Sequence, residues 1–119
     1  MPFPEAVRQL EAAGVVRYHT DLVGQTKTYH GKAGQSHIEP FPDFASMPVA
    51  LVFSAVQVKE AISAIQRQQI AYREFLSRII AAGTATYDVF ITGRKAIYFG
   101  RMGDFHIEPF PSGRARPGQ

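Results

Sequence analysis

Residues 11–42 recur at 80–111. Shifting the chain along itself by 69 positions aligns the two stretches without a gap, and fourteen of 32 positions are identical. Ala12, Ala13, Gly14, Tyr18, Gly24, Tyr29, Gly31 and Gly34 return as Ala81, Ala82, Gly83, Tyr87, Gly93, Tyr98, Gly100 and Gly103, and the hexapeptide HIEPFP closes both copies. Glycines and tyrosines kept in one register mean that one supersecondary unit is written twice. Two copies are too few for a solenoid, so the units are expected to share a core and to be related by an approximate twofold.

Each copy opens with a helix. In the first, Pro4 suits a first helical turn, Val7 and Leu10 share one face, and Gly14 stands at the left-handed stop. In the second, Phe75, Leu76, Ile79 and Ile80 have helical spacing and Gly83 is the matching stop. A hairpin follows, with Tyr87, Val89 and Ile91 alternating against Asp88, Phe90 and Thr92, and its turn at Gly93-Arg94, or Gly24-Gln25 in the first copy, reads as type II′. Gly-rich turns at 31–34 and 100–103 then lead into HIEPFP. Between the copies, Val49 to Phe53 reads as a strand or as a lead-in to a third helix. Ser54 and Gln57 suit that helix's capping box, Val58, Ala61, Ile62 and Ile65 form its stripe, and its end is expected near Gln68.

The predicted fold is therefore α+β: a two-layer sandwich of internally duplicated helix–hairpin–strand units, with an antiparallel sheet of about six strands against about three helices. A single domain is expected over 1–111, with pseudo-repeats 3–42 and 72–111, a connecting segment 43–71 and a disordered basic tail 112–119. The length of 119 residues and the 45% hydrophobic content suit one core. The absence of Cys excludes disulfides, thiolate metal sites and a cysteine nucleophile. Apolar runs are too short for a membrane span, and no signal-peptide pattern is legible, so a cytoplasmic protein is expected. The charge of +3 owes part of its excess to Arg114 and Arg116 in the tail, which weakens any argument for a polyanionic partner.

The string IAYREFLSRIIAAG, the strand that follows it, GRKAIYFGRMG and the terminal HIEPFP together resemble the YdfO-like family of small bacterial and phage-associated proteins. The Ala-Ala-Gly, Tyr-x-Gly and Glu-Pro-Phe-Pro landmarks carry the resemblance over residues 4–111. It implies a two-layer α+β fold and a bacterial or prophage origin, sometimes under the label phage envelope protein. It brings no catalytic residues.

Three sets of side chains bear on function. In a regular strand His37 and Glu39 share a face, as do His106 and Glu108; if the two hexapeptides met across the pseudo-twofold, two imidazoles and two carboxylates would make a divalent-metal site. The competing reading is architectural: Pro40 and Pro42 lack N–H donors and favour an edge strand, on which Ile38 and Phe41, like Ile107 and Phe110, would clip the sheet edge to the core. The second set, Lys27, Lys32, Arg94, Lys95 and Arg101 with nearby aromatics, could serve single-stranded nucleic acid, though basic hairpin tips also keep sheet edges soluble. The third comprises His19 and His30, which stand where the second copy has Asp88 and Phe99; a site dependent on them would be present only once, and solvated surface groups are the competing reading. Serines outside any nucleophile elbow and glycines spaced for hairpins disfavour hydrolase and nucleotide-binding chemistry. The expectation is a non-enzymatic interaction or regulatory module that self-associates as a homodimer. A divalent-metal protein or metalloenzyme is the first alternative and nucleic-acid binding the second.

Overall fold

The computed structural model describes residues 3–40 and 48–111. In chain order the elements are α1 (Phe3–Ala12), β1 (Val15–Asp21), β2 (Thr26–Gly31), β3 (Ser36–Pro40), α2 (Ala55–Gln66), α3 (Tyr72–Ala81), β4 (Thr84–Phe90), β5 (Lys95–Gly100) and β6 (Phe105–Pro109). This is the α+β architecture expected: three helices packed against a six-stranded antiparallel sheet. The predicted tail 112–119, together with Phe41 and Pro42, lies outside the described residues.

Local chemistry explains the boundaries. Gly14 and Gly83 end α1 and α3 with φ of 84° and 95°, which side-chain-bearing residues rarely adopt. Ser54 caps α2 by accepting a hydrogen bond from the Gln57 N–H at 3.2 Å. The helix stops at Gln66, and Gln68 turns the chain with φ 59°. Val49 to Phe53 forms no strand; it lies along the end of α3, where Ala50 N–H donates to the Ile80 carbonyl and Ser54 N–H to that of Ala82.

One turn expectation is corrected. In both hairpins the positive φ falls on Gln25 (58°) and Arg94 (61°), with Gly24 and Gly93 one step earlier, so these are four-residue loops rather than type II′ turns. Gly24 is there for closeness: the Asp21 carboxylate accepts from Val23 and Gly24 N–H, and a Cβ at Gly24 would lie 2.8 Å from it.

The strand order is β3-β2-β1-β4-β5-β6. The central pair β1 and β4 is registered with His19 opposite Asp88, the two residues that occupy one position of the repeat. The pseudo-twofold therefore passes between them. Symmetry extends to irregularities, since register shifts between Val15 and Arg17 and between Thr84 and Thr86 are repeat equivalents.

The core does not follow that symmetry. Val58, Ala61, Ile62, Phe75, Leu76, Ile79, Ile80, Tyr87, Val89, Ile91 and Tyr98 are buried around the second unit, whereas the first adds mainly Val7, Leu22 and Thr20. The reason is α2, which packs against α3 and β6. β6 is alternately exposed and half-buried, but β3 is exposed along its whole length.

Candidate functional site: a tyrosine-lined cavity

Strand alternation sends Tyr18 and Tyr29 to the helix side of the first unit and Tyr87 and Tyr98 to the helix side of the second. Each pair sits directly across adjacent strands. The Tyr18 and Tyr29 rings lie 5.6 Å apart, and those of Tyr87 and Tyr98 stack at 5.2 Å, within the range of favourable aromatic pairing. From α3, Tyr72 reaches in, its hydroxyl 2.6 Å from that of Tyr87. All five tyrosines of the chain thus line one mostly apolar cavity of about 1120 Å³ between the sheet, α1, the end of α2 and the start of α3.

Departures from the repeat help to make that space. Where α3 fills it with Phe75, edge-on to Tyr98 at 6.4 Å, the equivalent residue of α1 is Ala6. Where β5 has Ala96, β2 has Lys27, whose Nζ lies 5.2 Å from the Tyr18 ring centroid, 5.1 Å from that of Tyr72 and 3.2 Å from the Tyr72 hydroxyl. A cation between two aromatic faces is held by their quadrupoles. Desolvation nevertheless lowers the Lys27 pKa, an effect that Glu39 opposes. The tyrosines respond in the other direction. Burial raises Tyr18, Tyr87 and Tyr98 well above the usual phenol value, and raises Tyr29 and Tyr72 as well. The cavity thus presents neutral phenols, flat apolar walls, one amine and, at the β6 edge, Glu108.

The proposed four-residue metal set is not assembled. β3 and β6 are opposite edges of the sheet, five strand spacings or about 24 Å apart. His37 and Glu39 instead pair with each other at 3.3 Å, and His106 and Glu108 do the same at 2.9 Å. Among the described residues no group of three or more His, Cys, Asp or Glu side chains could hold an ion together. The apolar-clip reading of the hexapeptide is also corrected in part: the strand remains regular through Pro40 and Pro109, so Ile38 and Ile107 point to the helix-free face and stay exposed. Phe110 does pack against the core, with Arg94 over its ring at 5.0 Å.

The basic residues form no single stripe. Lys27 faces the cavity, Lys95 lies on the other face, and Arg101 sits beyond the opposite end of β5 with Nη1 3.5 Å from the Val49 carbonyl. Lys32 is in the β2–β3 turn and Arg94 in the β4–β5 loop. His19, by contrast, gains a partner across the central strand pair: its Nδ1 lies 2.9 Å from Asp88, with Arg17 3.7 Å from the same carboxylate oxygen. His30 lies one strand further out, across from Arg17.

The cavity is not legible from reactive groups in the sequence, because phenols at strand positions look like ordinary core. The signal was present in Tyr18, Tyr29, Tyr87 and Tyr98, which recur at repeat spacing and fall on one face by strand parity. The chain matches no protein-family model, and no curated protein matches it.

Proposed function

We propose that the protein is a small non-enzymatic binding module of the interaction or regulatory kind, and that the tyrosine cavity is its ligand site. The convergence of all five tyrosines on one cavity carries this reading. A predominantly apolar concavity of this size with a few polar groups is the usual form of a small-molecule site. Flat walls favour a planar aromatic ligand, and the Lys27 ammonium with the Tyr72 hydroxyl at the mouth favours a carboxylate or phenolate on it. Membership of the YdfO-like family belongs to the same proposal and rests on the landmarks given above.

Planar aromatic carboxylic acids, titrated while tyrosine fluorescence and melting temperature are followed, test this reading. Saturable binding and a raised melting point are expected. Ala6→Phe, which places in α1 the ring that the second unit has at Phe75, should abolish binding while leaving the protein folded. A panel without saturable binding, or affinity unchanged in Ala6→Phe, refutes it.

Self-association is a second reading with its own observation. Ile38, Phe105 and Ile107 are 64%, 59% and 46% exposed on the sheet face that no helix among the described residues covers. Apolar side chains left exposed on one sheet face support its closure by a second copy, as in a homodimer. Light scattering over a concentration series tests it, and a strict monomer at every concentration sinks it. No helix among the described residues is long and apolar enough to cross a membrane.

A further inference from the structure

The second unit shows what its scaffold is built to receive. Residues 49–66 approach as an extended stretch and then as α2. The stretch crosses so close to Gly83 that a Cβ there would meet the Val52 carbonyl, and at Gly100 a Cβ would lie 2.8 Å from the Phe53 side chain. α2 then packs on α3 and β6, and leaves the side chains of His106 and Glu108 only 18% and 23% exposed. Rotated by the pseudo-twofold, the same scaffold in the first unit carries no second helix among the described residues. A Cβ at Gly14 would meet nothing within 4 Å, and one at Gly31 would meet only the flexible end of Gln35. The side chains of His37 and Glu39 are 69% and 54% exposed. The glycine itself is retained: at Gly31, whose φ is not positive, the end of the flexible Gln35 side chain lies where Phe53 lies over Gly100.

We infer that the helix side of the first unit, over β2, β3 and the outer flank of α1, is a docking surface for a partner segment built like residues 49–66. That occupant is an amphipathic helix preceded by an extended stretch with an aromatic residue that settles on Gly31. This site adjoins the cavity and does not depend on a small ligand filling it. One repeat position sets how the partner differs from α2. Ile80 in α3 is fully buried, whereas its counterpart in α1 is the exposed Glu11. Glu11 selects a helix that places a lysine or arginine where α2 meets an apolar surface, because an unpaired carboxylate under an apolar helix is costly to desolvate. Extended segment and helix together describe recognition through one aromatic anchor and one charged contact.

A synthetic peptide of residues 48–67, added to the full-length protein and followed by amide chemical shifts, supplies the probe. Saturable shifts are expected at Tyr29, Gly31, Gln35, His37 and Glu39. Gly31→Leu should weaken binding by about tenfold or more, the loss that overfilling a close contact brings, while the protein melts within about 4 °C of wild type. Glu11→Ile, which restores the residue of the second unit, should tighten binding of this peptide. The Phe53→Ala peptide tests the same contact without altering the protein, and should bind more weakly. The inference is overturned if no shifts saturate, if Gly31→Leu and Phe53→Ala both leave affinity unchanged, or if shifts centre on Gly83 and Gly100, which would mean the peptide had displaced its own copy.

Discussion

Raising the pH should unfold this protein in one cooperative step driven by its phenols. Tyr18, Tyr87 and Tyr98 are held well above the ordinary tyrosine value of about 10 because burial disfavours their phenolates. A folded-state pKa raised above the unfolded value adds stability that is complete below pH ~10 and is lost as the pH climbs above it, since only the unfolded chain releases the proton. At pH 11 the unfolded state gains about 1.4 kcal/mol per such tyrosine, or about 4 kcal/mol for the three. That is a large share of the roughly 5–15 kcal/mol that holds a domain together. Lys27 acts in the opposite sense: its lowered pKa means stability rises between its folded value and about 10.4, a partial offset. Tyr29 and the half-exposed Tyr72 add less. Phenolate absorbance and far-ultraviolet circular dichroism, recorded on one alkaline titration, should change together and steeply. Tyr87→Phe should move the midpoint upward, having one phenol fewer to ionise. Phenolate appearing gradually around pH 10 while the dichroism stays native would refute the reasoning and, with it, the burial of the cavity walls.

Other consequences follow from the same geometry. Gly100→Ala should cost about 1–3 kcal/mol in urea unfolding because its Cβ meets the Phe53 side chain, while the equivalent Gly31→Ala should stay within about 0.5 kcal/mol. Asp88→Ala leaves both His19 and Arg17 without their carboxylate at the pseudo-twofold, and a loss of about 1–3 kcal/mol is expected because the Asp88 side chain is only 13% exposed, with a double-mutant cycle against His19→Ala isolating the coupling. If the helix-free face closes a dimer, Ile107→Lys should shift light scattering to the monomer mass with little change in circular dichroism.

Much of the fold was legible in the chain. Periodicity located all three helices, and the glycines after Ala-Ala marked two of their ends because only a left-handed residue lets the chain leave the helix there. The hairpin turns were less legible, for a physical reason. A glycine in a short loop points to a positive φ, but at Gly24 its use is to admit the Asp21 carboxylate, and the left-handed conformation falls on Gln25. The hexapeptide was legible as a strand, and its His and Glu as neighbours on one face, yet the distance between the two copies is a property of strand order. With β1 and β4 at the centre, each hexapeptide is carried to an outer edge.

What the sequence by itself determined is the unit: helix, hairpin and edge strand, with tyrosines at matching strand positions whose parity puts them on one side. Repetition of that local pattern is written in residue spacing, and spacing is enough to define it. Tertiary structure decided how the two units join and where they differ. Antiparallel pairing of β1 with β4 brought His19 onto Asp88 and turned four strand tyrosines toward one space, while α2 covers the second unit and has no counterpart on the first among the described residues. Those outcomes depend on contacts between residues far apart in the chain, which local periodicity does not encode.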